Sequence, residues 1–126
     1  MKDFRNLAVW QKAHSLTLQI HQTSASFPRE EMFGLTSQLR RSAASMGANI
    51  SEECRRSSDA DFARFLQIAF GSACETEYHL VLARDLHMIS NESHARLQNE
   101  LIEVKRMLAS LMSRVRGGNN RLTAEG

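Results

Sequence analysis

Residues 97–115 read Leu97-Gln98-Asn99-Glu100-Leu101-Ile102-Glu103-Val104-Lys105-Arg106-Met107-Leu108-Ala109-Ser110-Leu111-Met112-Ser113-Arg114-Val115. Leu97, Leu101, Val104, Leu108, Leu111 and Val115 recur at alternating steps of four and three. That period keeps one apolar stripe of a helix turned toward its neighbours. The same spacing runs through Val9, Ala13, Leu16, Ile20, Thr23 and Phe27, and again through Phe62, Leu66, Ala69, Ala73, Thr76, Leu80 and Ala83. A fourth segment carries Leu35, Leu39, Met46 and Ile50 among small residues. These seams predict an all-α fold, an elongated antiparallel up-down-up-down four-helix bundle, because the connections are too short to carry the chain back along a helix.

The breakers set the helix limits. The only proline, Pro28, disfavours helical geometry at Phe27 and ends a first helix expected from Phe4 to Ser26. A second helix is expected from Leu35 to Arg56. Ser57-Ser58-Asp59 offers caps for a third that reaches His87 or Met88, and Ser90-Asn91 caps a fourth from Glu92 to Arg116. Gly117-Gly118-Asn119-Asn120 then reads as a stop, so residues 1–116 form the bundle and 117–126 a disordered tail. A chain of 126 residues has room for one such domain.

Composition narrows the functional classes. No apolar run approaches the roughly 20 residues of a membrane span, and Met1-Lys2-Asp3-Phe4-Arg5 lacks the apolar core of a secretory signal. No membrane partner and a cytoplasmic location are therefore expected. Cys54 and Cys74 lack the paired spacing of a zinc or redox motif and read as buried or half-buried thiols. A di-iron bundle needs Glu-x-x-His on paired helices, whereas Glu75 and His79 stand alone at a spacing of four and read more simply as a surface pair. There is no Gly-x-Ser-x-Gly elbow and no glycine-rich phosphate loop. His14 and His21, beside the first seam, read as packing residues. The chain is expected to be no enzyme and to carry no cofactor or metal.

Charge remains. Net charge is +2, and thirteen of the 16 basic residues are arginine, whose fork fits phosphate and carboxylate. Arg40 and Arg41 sit within the second helix. Lys105, Arg106, Arg114 and Arg116 make the C-terminal stretch basic, while the third helix is acidic in balance. A basic side of this kind attracts phosphate backbones, more strongly when symmetry repeats it. The candidate nucleic-acid contacts are thus Arg40, Arg41, Lys105, Arg106, Arg114 and Arg116. The competing reading is structural. Glu77 and Arg84, one heptad apart beside the third seam, are candidates for a structural ion pair, with Arg40 or Arg41 as the partner of Glu77. Ala44, Gly47 and Ala48 let backbones approach closely and are the candidate oligomer interface.

Three ordered stretches carry a family likeness: Phe4-Arg5-Asn6-Leu7-Ala8-Val9-Trp10-Gln11-Lys12-Ala13, Phe33-Gly34-Leu35-Thr36-Ser37-Gln38-Leu39-Arg40-Arg41-Ser42-Ala43, and Arg64-Phe65-Leu66-Gln67-Ile68-Ala69-Phe70-Gly71-Ser72. From about Phe4 to Leu86, and more weakly beyond, the chain resembles the bacterial four-helix-bundle family labelled S23 ribosomal protein. That family includes proteins encoded in intervening sequences of 23S ribosomal RNA genes. The resemblance implies a homo-oligomer, typically a ring-like homopentamer. It also implies partners: a related member, the accessory variability determinant of diversity-generating retroelements, works with a reverse transcriptase and binds nucleic acid through a basic surface. Gly47 departs from a proline common in relatives, and Glu53 from a glycine, which implies a less kinked second helix that ends later. The functional expectation is a non-enzymatic homo-oligomeric adaptor holding RNA or DNA, beside a reverse-transcriptase-type partner. The alternative is a protein-protein interaction scaffold with no nucleic-acid role.

Overall fold

The computed structural model describes residues 3–54 and 59–125, with side chains throughout except at positions 53, 59, 60 and 116–125. Four α-helices follow in order: α1 Ala8–Ser24, α2 Leu35–Glu53, α3 Asp59–Asp85 and α4 Asn91–Glu125. No strand occurs among the described residues. The 27 residues of α3 alone span about 40 Å at the α-helical rise, which makes the bundle long for its mass.

Hydrogen bonds fix the directions. Thr17 donates to the Ala43 carbonyl, while Arg40 reaches back to Ser24, so α1 and α2 run antiparallel. Ser45 pairs with Ser72 and Ser42 with Thr76, which sets α3 antiparallel to α2. Lys105 lies over the Phe70 ring while Gln98 meets Glu77, so α4 reverses again. Each helix packs against the next, and α1 also packs against α4, whereas among the described residues the backbones of the diagonal pairs α1/α3 and α2/α4 stay farther apart. This is the up-down-up-down square.

The core is built from the seams, with one systematic shift. Val9, Ala13, Leu16, Ile20 and Phe27 are buried on α1, and Leu97, Leu101, Val104 and Leu108 on α4. Toward the helix ends the buried positions become Ser24 instead of Thr23, and Met112 instead of Leu111 and Val115. A strict 3.5-residue reading loses about 20° per heptad against a straight 3.6-residue helix, so the inward face drifts one position onward. On α3 the seam is buried from Leu66 to Ala83, with small Ala69 and Ala73 letting α2 come close.

Several boundaries differ from expectation. Phe4–Asn6 forms a separate 3-10 turn, because the Asp3 carboxylate accepts the Arg5 N–H at 3.0 Å and holds the chain out of α-helix until Ala8. Helix α3 ends at Asp85 in a Schellman-type closure: the Met88 N–H bonds the Ala83 carbonyl at 2.8 Å, and His87 takes the left-handed conformation at φ 61°. Helix α4 does not stop at Gly117-Gly118 but is helical through Glu125. Glycine weakens a helix by about 1 kcal/mol without breaking it as proline does. The cap candidates Ser57 and Ser58, with Arg55 and Arg56, lie outside the described residues, as do the side chains of Glu53 and Asp59.

Candidate nucleic-acid interface

The six basic candidates separate into two kinds. Arg40 is used internally: its Nε donates to Ser24 Oγ at 2.8 Å and its Nη2 to the His21 carbonyl at 3.1 Å. The guanidinium thereby closes the carbonyl end of α1, where the helix dipole is negative. Lys105 is also committed. Its ammonium lies 2.9 Å from Glu77 Oε1, with both side chains less than one-third exposed (26% and 29%). Gln98 Nε2 donates to the other Glu77 oxygen. The hydrogen bond from Lys105 holds the Glu77 carboxyl below its ordinary value, against the opposing effect of burial, and the same bond raises Lys105.

This geometry corrects the expected ion pairs. Glu77 meets neither Arg40 nor Arg41, because it faces α4 whereas Arg40 folds onto α1. Nor does it meet Arg84, seven positions onward and about 10 Å away along the helix axis. Arg84 pairs with Asp85 at 3.1 Å instead.

Three of the six candidates stay outward. Arg41 is exposed on α2, and Arg106 and Arg114 are exposed on α4. Because α2 and α4 are diagonal, Arg41 belongs to a different side from the other two. The outward basic candidates are therefore divided between two sides. Arg116 lies in α4 with its side chain outside the described residues.

Arg106 and Arg114 flank a cleft of about 340 Å3 between the start of α1 and the far half of α4. Its walls are Leu7, Ala8, Val9, Met107, Ser110 and Leu111, with the two guanidinium groups at the rim. Spaced eight positions apart, they stand about 12 Å from each other along the axis. Arg106 is 74% exposed and touches Glu103 only at 3.9 Å. Arg114 has no hydrogen-bond or ion-pair partner among the described residues. Chemically this is a pair of donors for anionic oxygens set over an apolar floor.

A second surface lies on the α1/α2 side. Ala44 and Ala48 are exposed and Gly47 half-buried, and with Phe4, Trp10, His14, Thr17 and Ser51 they line a groove of about 360 Å3. Trp10 stacks on His14, with ring centres 4.7 Å apart, and takes Phe4 at its edge. A Cβ at Gly47 would sit 3.3 Å from Trp10 Nε1, so glycine leaves room for the indole beside α2. Trp10 is half-buried against the core and also forms a wall of this groove. His14 and His21 are exposed, and the buried histidines are His79 and His94. Cys74 is exposed and Cys54 half-buried.

His79 does not face outward with Glu75. It enters the bundle, where its Nδ1 is 3.3 Å from Ser42 Oγ in a ladder that continues through Thr76, Ser72 and Ser45. Burial lowers its pKa from 6.5, against a smaller opposing effect of Glu75. Among the described residues no three His, Cys, Asp or Glu side chains gather as a metal site would require. No helix is long and apolar enough to cross a membrane among them.

With this geometry, the chain can be set beside known proteins. The model of the family described as 23S rRNA-intervening sequence protein matches residues 5–110. Among solved structures, a protein of unknown function from the S23 ribosomal protein family of Bacteroides thetaiotaomicron is similar at 30% identity and a TM-score of 0.76, over 83% of this chain and 98% of that one. No curated protein is matched.

Proposed function

The chain belongs to the 23S rRNA-intervening sequence protein family, and from that premise we propose that it works without catalysis, as a self-associating bundle that holds RNA or DNA by its phosphates. The observation that supports this best is the exposed pair Arg106 and Arg114, free of strong partners, at the rim of the α1/α4 cleft. Arg41, exposed on the opposite side, stands apart from this pair. Arg40 and Lys105 are positioned for structure and drop out of the contact set.

Binding of this kind reads charge and shape rather than base edges, since the cleft holds no aromatic platform on which to stack a base. A single subunit offers few contacts. Self-association, with the ring-like pentamer that the family resemblance implies, repeats the pair and adds counterion-release terms across subunits. A reverse-transcriptase-type protein is the partner class that fits such an adaptor, and the setting is cytoplasmic. Fluorescence anisotropy with short RNA and DNA duplexes across a salt series tests the reading. Tight binding at low salt, weakening steeply as salt rises, supports it; no binding at low ionic strength overturns it.

The scaffold alternative has its own support. The groove walled by Trp10, Ala44, Gly47 and Ala48 is uncharged and open, a surface suited to a protein neighbour. Replacing Ala44 with a bulky residue then dissociates the assembly, and light scattering that shows an unchanged mass contradicts it.

A further inference from the structure

The connection between α1 and α2 ends in a projecting aromatic. Phe33 is 93% exposed and Met32 beside it is 50% exposed. The projection is not a loose strand. Glu31 N–H bonds the Pro28 carbonyl at 3.0 Å, Met32 N–H the Arg29 carbonyl at 3.1 Å and Gly34 N–H the Glu31 carbonyl at 3.0 Å, so the backbone under the ring is locked as a tight turn. A fixed apolar knob in water is poised for a partner, because little ordering remains to be done on contact.

The receiving shape lies on the same molecule. The α1/α2 groove, about 360 Å3, has room for one benzyl group, with the Trp10 and Phe4 rings available as edges and the small Ala44, Gly47 and Ala48 as floor. From Gly34 to Gly47 the chain climbs about 20 Å along α2, so a subunit's own Phe33 cannot reach its own groove. The charges match as well. Glu30 is exposed and unpaired among the described residues, and with Glu31 and Arg29 it leaves the tip net negative. Arg41, exposed and unpaired among the described residues, stands one turn from Ala44 at the groove's edge.

We propose that the Phe33 tip of one copy docks in the Trp10/Ala44/Gly47/Ala48 groove of a second copy, with Glu30 brought toward Arg41. The two patches differ, so the contact is head-to-tail, and repeating it closes a ring or extends a filament. The proposal deepens the self-association in the function above and does not depend on nucleic-acid binding.

The test uses the full chain with two single variants. Phe33→Ala removes the knob and leaves the groove; Ala48→Glu fills the groove with a charge that repels Glu30 and leaves the knob. Both positions are exposed, and far-UV circular dichroism checks that each variant keeps its helices. By sedimentation or light scattering, wild type is expected to assemble, and each variant alone to fall to the single-chain mass of 14.3 kDa. An equimolar mixture is expected to regain association and stop at twice that mass, since only one intact contact can form per pair. A wild type that assembles while Phe33→Ala stays assembled overturns the docking and leaves the functional reading standing, as does a mixture that remains single-chain. A wild type that is single-chain at all concentrations overturns the self-association itself.

Discussion

The Lys105 ammonium sits 2.9 Å from the Glu77 carboxylate, bridging α4 to α3, and lies 5.7 Å from the centre of the Phe70 ring. A basic residue that looks available in the sequence is in this way turned to holding two helices in register. Lys105→Met is expected to cost about 1 kcal/mol in urea unfolding, the scale of a partly screened charged hydrogen bond. It is expected to leave nucleic-acid affinity nearly unchanged, whereas Arg106→Ala lowers affinity and leaves stability alone. The sign with pH follows from the lowered Glu77 value: the pair's contribution is present above the ordinary carboxyl value of 4.5 and is lost as pH falls below it.

Two buried histidines set a second pH dependence. His79 is lowered from 6.5 by burial, and His94 by burial and then by Arg84, with Asp85 opposing. In the unfolded chain both take up protons near 6.5, while in the fold they resist. The unfolded state then binds more protons, so stability is full above about 6.5 and declines as pH falls. Denaturation midpoints at pH 7.5 and 5.5 are expected to differ in wild type and to differ less in His79→Asn. Equal slopes for the two proteins contradict the assignment.

Backbone positions offer gains. Gly71 lies exposed within α3, and a Cβ there meets nothing within 4 Å. Gly71→Ala is therefore expected to stabilise by about 0.5 to 1 kcal/mol. His87 holds φ 61° at the C-terminal closure of α3, a conformation that costs an L-residue about 1 kcal/mol and glycine almost nothing. His87→Gly is expected to raise the thermal midpoint by a few degrees, measurable by circular dichroism.

The bundle was legible because its information is one-dimensional: apolar residues at helical spacing name the faces, and Pro28 and Ser90-Asn91 name the corners. What the seams missed is small and physical, as with Ser24 and Met112, where a 3.6-residue helix outruns a 3.5-residue count. The site was less legible. Arg40 and Arg41 are neighbours in sequence, yet about 100° of helical rotation sends one to the His21 carbonyl and the other to solvent. Which acid Lys105 meets depends on the register of α3 against α4, which no local pattern encodes. Phe33 was hidden for the opposite reason, since a phenylalanine beside a glycine gives no sign that its ring stands in water. Trp10 gave a partial signal: it stands one position off the seam, and that offset turns a large ring toward the edge of the helix pair.

In the proposed function the α4 arginines meet phosphates. The most direct measurement is a salt titration of duplex binding by wild type beside Arg106→Ala/Arg114→Ala. The double variant is expected to bind more weakly, with a log-affinity slope that falls by about 0.9 for every phosphate contact removed. Identical affinity and slope for the two proteins would contradict it.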